Sequence, residues 1–142
     1  MNTVGQLLES KNDDIVTMQP DSSVLDAVRL MAERDIGSVV IVEGQKLAGI
    51  LTERHYARNV ILAGLRSDTT PVSEVMSSSV VCVTPAHTVD DCMALMTEHR
   101  IRHLPVLDDE TLLGVISIGD LVRSRIADQE QVISQLTEYI QG

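Results

Sequence analysis

Aromatic side chains are almost missing from this chain: Phe and Trp are absent and Tyr occurs twice, while 44% of the 142 residues are hydrophobic. Any core must therefore be built from Val, Ile, Leu, Ala and Met, which suits close packing of helices on a sheet. Cysteine is nearly as scarce. Cys82 and Cys92 have no CxxC spacing, and two thiols do not make a disulfide framework or a zinc site. Basic residues are outnumbered, with 11 Lys and Arg against 21 Asp and Glu, a net charge of −10. With no Lys/Arg-rich run to offset that field, nucleic acid is excluded as a direct partner. No apolar stretch approaches membrane-spanning length, and the opening MNTVGQLLESKNDD lacks the basic and then apolar regions of a signal peptide. The expectation is a cytoplasmic protein with no membrane contact. Neither a G-x-x-x-x-G-K-S/T phosphate loop nor a G-x-G-x-x-G turn is present. No Ser or Cys nucleophile has an identifiable base, and no carboxylate cluster is spaced for a metal. The expectation is no intrinsic catalysis, no catalytic cofactor and no metal.

What the chain does have is a repeat. Shifted by 65 positions, it lies over itself without a gap from about Ile15 to Leu62. Pro20 falls on Pro85, Val24 on Val89, Asp26 on Asp91, Leu30-Met31 on Leu95-Met96, Ile36 on Ile101, Leu47 on Leu112 and Gly49 on Gly114. A gapless repeat of this length predicts two copies of one structural unit, packed face to face about a pseudo-two-fold axis, with matched clefts for small ligands.

Each copy runs in the same order. A short β run opens it (Ile15–Met18, then Val80–Val83) and a proline stops it. Ser23 with Asp26, and Thr88 with Asp91, have the spacing of a helix capping box. Apolar residues then recur at helical spacing: Val24, Ala27, Val28 and Met31, and Val89, Cys92, Met93 and Met96. On that face Cys92 is an ordinary small buried thiol. Two strands follow around a polar turn, Ser38–Val42 with Leu47–Leu51 and Leu104–Leu107 with Leu112–Ile116. A second helix closes each unit, about Arg54–Leu65 and Gly119–Ala127. The fold class is α/β (α+β), two β-α-β-β-α units. The predicted boundaries are residues 1–66 for the first unit, 67–71 for a polar linker ending in Pro71, 72–127 for the second unit and 128–142 for a C-terminal helix. Val72–Met76 forms a short helical turn ahead of copy two, and Thr3–Ser10 takes the same place ahead of copy one. The C-terminal helix carries Val132, Ile133, Leu136 and Ile140 on one face, for docking on its own domain or for a dimer contact.

The order of elements, the segment Ile101-Arg102-His103-Leu104-Pro105-Val106 and above all Gly114-Val115-Ile116-Ser117-Ile118-Gly119-Asp120 resemble a cystathionine-β-synthase (CBS) domain. Two in tandem resemble the CBS pair, or Bateman module, from about Val4 to Ala127. Leu51-Thr52-Glu53-Arg54-His55-Tyr56-Ala57-Arg58 is similar to a segment of stand-alone CBS-pair proteins. The resemblance implies a sensor that binds an adenosine-containing ligand (AMP, ADP, ATP, NAD(H) or S-adenosylmethionine) in clefts between the copies. For one cleft it implies Ser117 and Asp120 on the ribose, Ile15, Val16, Thr17, Ile36 and Gly37 bordering the adenine, and Arg102 and His103 on the phosphates. An ionised Asp accepts from both ribose hydroxyls, which fits that role. The second cleft would use Thr52 and His55 opposite Val80, Val81 and Cys82. There His stands where the pattern has Asp, and imidazole cannot accept twice, so that cleft is expected to be altered or vacant. The resemblance also implies a homodimer and an effector partner, with adenine nucleotide as a regulatory ligand and AMP-type ligands foremost.

Other roles stand beside these. Ser117-x-x-Asp120 is itself a capping box at a helix start. Arg102 and His103 also suit surface ion pairs, and His55 a solvated helix start. A ligand-free dimer platform and a thiol switch through Cys82 are the alternative functions.

Overall fold

The computed structural model describes residues 2–11 and 14–141 and has mixed α/β structure, as expected. In order, the elements are α1 (Val4–Lys11), β1 (Thr17–Met18), α2 (Val24–Arg34), β2 (Ser38–Glu43), β3 (Lys46–Thr52), α3 (Glu53–Tyr56), α4 (Val89–His99), β4 (His103–Asp108), β5 (Thr111–Ser117) and α5 (Ile118–Gln141). The helix α3 runs straight into a π-helical turn, Ala57–Ile61, and a 3₁₀ turn spans Val72–Glu74.

These elements sort into two compact units that are not the two halves of the sequence. The first-copy unit holds Asp14–Val81 with Asp108–Leu113, and the second-copy unit holds Met1–Asp13, Cys82–Leu107 and Gly114–Gly142. The helix that precedes copy one therefore folds with copy two, and the turn that precedes copy two folds with copy one.

In the first-copy unit the sheet order is β1-β2-β3. Thr17 pairs in parallel with Val40, and β2 and β3 form an antiparallel hairpin in which Val39 faces Leu51. Every residue of β2 from Ser38 to Val42 is buried, so both faces of that strand are shielded from water. Its inward residues Val39 and Ile41 join Val24, Ala27 and Met31 of α2, Leu51, Val60, and Val72 and Val75 of the 3₁₀ turn in one core. The turn is stitched in by backbone bonds, Ser77 exchanging both bonds with Ile50 at 2.9 and 3.0 Å. Gly49 makes that approach possible: a Cβ there would stand 2.5 Å from Met76 Sδ and 2.7 Å from the Ser77 carbonyl oxygen.

The second-copy unit repeats the device with a different partner. Here α1 is bonded at its start to the loop before α4, Val4 N–H donating to the His87 carbonyl at 2.8 Å and Gly5 N–H to Pro85 at 3.0 Å. At Gly114, the repeat mate of Gly49, a Cβ would meet Leu8 Cδ2 of α1 at 2.9 Å. Val4, Val89, Cys92, Leu104, Val106, Ile116 and Leu121 are buried in this unit.

The helix boundaries follow the cap chemistry read from the sequence. Thr88 and Asp91 form both arms of a capping box. In copy one only the hydroxyl arm forms, Ser23 Oγ accepting from Asp26 N–H, while the Asp26 carboxylate lies 3.9 Å from Arg29. Both helices stop in the same way, on a non-glycine residue in the left-handed region, Asp35 (φ 53°) and Arg100 (φ 55°), with the cap N–H returning to Met31 or Met96.

Four expectations about extent need correction. The opening β run of copy one shrinks to Thr17–Met18, leaving Ile15 and Val16 outside the strand. In copy two it shrinks to a single bridge of Val83 with Val106, so Val80, Val81 and Cys82 are not strand. A β propensity without a long partner ladder does not sustain a strand. The closing helix of copy one is four residues of α-helix and a π turn rather than Arg54–Leu65. The closing helix of copy two and the C-terminal tail are one helix of 24 residues, because nothing between Ala127 and Gln129 breaks it.

Candidate functional site

Strand β5 ends and α5 begins at Ser117, so this residue serves as the helix cap. Its N–H and hydroxyl donate to Asp120 Oδ2 at 2.8 and 3.0 Å, and its Oγ accepts from Asp120 N–H at 3.2 Å. The Asp120 carboxylate is buried, 4% exposed. It does not stand alone. Lys11, at the end of α1, donates to Asp120 Oδ2 at 3.0 Å and to the Val115 carbonyl at 2.9 Å. Arg123, one helical turn on, donates to the other oxygen, Oδ1, at 2.5 Å, with 72% of its side chain still exposed. Burial by itself would raise the Asp120 pKa. The Ser117 amide and the Lys11 ammonium outweigh it and hold the carboxyl below its ordinary range. Asp120 is thus an ionised acceptor at a helix start, with both oxygens engaged. Gly119 leaves room for the arrangement, since a Cβ there would come within 3.3 Å of the Arg123 guanidinium.

Arg102 adjoins this group through its backbone, its carbonyl accepting from Ile118 N–H at 2.9 Å, and its side chain is exposed. His103 is half-buried at the start of β4. Ser117, Asp120, Arg102 and His103 therefore share the second-copy unit. Lys11 and Arg123 were missed by sequence reasoning. The Arg123 spacing of three from Asp120 on one helix was there to be used, whereas Lys11 lies 109 positions from its partner, beyond any local pattern.

The other candidates of that set, Ile15, Val16, Thr17, Ile36 and Gly37, lie in the first-copy unit. Ile15 is exposed and Val16 half-buried. Thr17 is tied to β2 by strand pairing. Ile36 packs against the core of its unit, and the Gly37 carbonyl accepts from Glu53 N–H at 3.1 Å.

The altered motif resolves into a capping box of unusual chemistry. Thr52 Oγ1 accepts from His55 N–H at 3.2 Å, and Thr52 N–H donates to His55 Nδ1 at 3.1 Å. The imidazole nitrogen does the work of the missing carboxylate, and only an unprotonated Nδ1 can accept. Burial first, then the neighbouring Arg54 and Arg58, lowers the His55 pKa and keeps the ring neutral. A group whose folded pKa is depressed binds fewer protons folded than unfolded, so its share of stability is full above the unfolded value and is lost as pH falls. His55→Asp is expected to keep the box and remove this dependence. The fall in melting temperature between pH 7.5 and 5.5 should be smaller in the variant than in the parent, measured by circular dichroism, and an equal or larger fall would refute the assignment. Val80 and Val81 are half-buried in the same unit as this box, and Cys82 belongs to the other. Burial pushes the Cys82 thiol up, and that of Cys92 to about 11. Reactive cysteines are shifted the opposite way.

The CBS-domain family profile matches the chain twice, over residues 4–61 and 72–127. The chain belongs to the CBS domain family. Among curated relatives, the CBS domain-containing protein CBSX3, mitochondrial, of Arabidopsis thaliana is 42% identical over 127 residues, covering 86% of this chain, and the chain spans 62% of that protein's length. The CBS domain-containing protein YhcV of Bacillus subtilis is 33% identical over 121 residues, 85% of this chain and 86% of its own. A solved structure of a protein with CBS domains from Burkholderia ambifaria superposes with a TM-score of 0.86 at 53% identity, covering 89% of this chain and 96% of that one. CBS pairs are in general regulatory, ligand-binding modules. In this CBS pair no helix among the described residues is long and apolar enough to cross a membrane.

Proposed function

We propose that this CBS pair is a regulatory module that binds an adenosine-containing ligand through Ser117 and Asp120 and passes its bound state to a partner protein or to its own oligomer. The observation that carries this is the buried, ionised Asp120 at the start of α5, flanked by the cations Lys11 and Arg123. A ribose diol donates to a carboxylate as Arg123 does here. Since the Arg123 side chain is largely exposed, ribose can take its place at Oδ1 while Lys11 keeps Oδ2. The displaced guanidinium then becomes a planar fork for the ligand's phosphates, beside Arg102 and His103. The response is a population shift, because the ligand favours whichever arrangement of these side chains it contacts. No catalytic step is assigned to the chain.

A specific observation favours a second reading. Ser117, Lys11 and Arg123 already satisfy Asp120, so the motif also functions as a structural cap and ion-pair centre without ligand, as a dimer platform would need. Thermal melting of ligand-stripped protein with AMP, ADP, ATP, NADH and S-adenosylmethionine separates the two. A ligand in hundredfold excess over its dissociation constant adds about 2.7 kcal/mol to the folded state. A rise in melting temperature with at least one of them, absent in Asp120→Asn, is the expected result. No rise with any would overturn the ligand proposal and leave the platform.

A further inference from the structure

Helix α5 continues well past the packed part of its unit. Leu121 and Ser124 are buried against that unit, but every residue from Gln129 to Gln141 is exposed. A helix this far from any cover is marginal in water unless its apolar face finds a partner. That face has a strict period. Val122, Ile126, Gln129, Ile133, Leu136 and Ile140 follow each other at spacings of 4, 3, 4, 3 and 4. In heptad terms the a positions are Ile126, Ile133 and Ile140, and the d positions are Val122, Gln129 and Leu136. Their exposures are those of an uncovered seam, 49% for Ile126, 63% for Ile133, 56% for Leu136 and 81% for Ile140.

We infer that the occupant of this seam is α5 of a second copy of the chain, in a parallel two-stranded coiled coil over residues 122–140. Three features select that partner and that direction. Ile at all three a positions, with Leu136 at one of the three d positions, suits a two-stranded coil. Gln129, the one polar residue of the seam, meets its own counterpart only in a parallel, in-register pair, where the two amides hydrogen-bond each other. Reversed, it would lie against Ile133 with its polar atoms unmatched. The charges agree. Arg125 at g lies five residues before Glu130 at e, the spacing that joins one helix to the other in a parallel pair, and twofold symmetry makes the contact twice. In the reversed pair the two Glu130 side chains would face each other. Arg125 also meets Asp90 of α4 within its own chain, so Glu130 of the partner subunit would complete a three-membered network on the rim. The unit supplies a folded first turn, so the coil forms without the nucleation cost of a free peptide. This inference is independent of any ligand.

The test is the solution mass of the full chain by analytical ultracentrifugation. The parent is expected to be a dimer, and Ile133→Asp with Leu136→Asp to raise the dissociation constant more than a hundredfold. Both positions are exposed, so the circular-dichroism melt of the variant should still show a folded protein. Direction is read from Gln129→Cys under mild oxidation. A covalent dimer is expected there, and none in the parent, whose two thiols are buried or half-buried. A monomeric parent, an assembly larger than two, a dimer untouched by the Asp pair, or a dimer that Gln129→Cys fails to crosslink would each overturn the proposal.

Discussion

Gly49→Ala is expected to destabilise the protein by about 2 kcal/mol, whereas Gly114→Ala, at the matching position of the other copy, should stay within about 1 kcal/mol of the parent. Neither glycine has a positive φ, so each added methyl is allowed by its own backbone. In the unfolded chain it even helps, by about 0.4–1 kcal/mol of lost freedom. The difference lies in what the methyl meets. At Gly49 one obstacle is the Ser77 carbonyl at 2.7 Å, and that carbonyl is fixed because Ser77 is bonded both ways to Ile50. Clearing it means breaking backbone bonds, and Met76 crowds the same spot. At Gly114 the close atom is the tip of the Leu8 side chain, and the next distance is 3.8 Å. A rotamer change of Leu8 makes room. For a domain of this size each kcal/mol moves the melting temperature by about 2–4 °C, so the two variants should be separable in one calorimetric series. Equal effects would show that both leading segments are equally rigid, contrary to the contacts described.

The second large effect is expected at Asp120. Asp120→Ala removes an acceptor of four hydrogen bonds, opens the cap of α5 and strands the Lys11 ammonium on a single carbonyl, with only 25% of that side chain exposed. Breaking a buried pair costs about 3–5 kcal/mol, and since Lys11 and Arg123 can turn partly to water the expectation here is about 2–3 kcal/mol. The pH dependence identifies the cause. The folded pKa of Asp120 lies below its unfolded value, so its contribution is full above the ordinary carboxylate range, around pH 4, and is lost as pH falls through the folded value. The stability gap between the parent and Asp120→Asn should therefore be constant near neutrality and close in acid, as followed by urea unfolding at several pH values. Lys11→Met should flatten the same curve. A gap that does not change with pH would mean that the charge of Asp120 contributes nothing.

The repeat, the order of elements and the caps were legible because each rests on residues near one another in the chain. Thr88 with Asp91 and Ser117 with Asp120 declare themselves three residues apart, and the apolar spacing of α2 and α4 is local too. The shortness of the opening strands was not legible. Val80, Val81 and Cys82 have every β-forming feature, and their state is decided by whether a distant strand is there to pair with. The exchange of leading segments left no local mark either: Val4 and Leu7 are apolar in any seat, and which copy they join depends on Gly114 and on the loop before α4. Of the candidate site, the Ser117–Asp120 box was readable and its cations were not. Lys11 looks like any lysine closing a helix.

The exchange of leading segments has a consequence for how the chain is made. Helix α1 leaves the ribosome well before the residues that seat it, since Leu8 and Lys11 are held by Gly114, Val115 and Asp120. At about 5–20 residues per second, a separation of 104 residues is a wait of roughly 5–20 seconds, during which α1 has no place to fold against. The first-copy unit must also wait for Val72 and Val75 before its core closes. Cutting between the repeats would leave each fragment missing a piece held by the other. Contacts of such long range make slow folders. Closure of the second-copy unit is thereby tied to synthesis of the chain through both repeats.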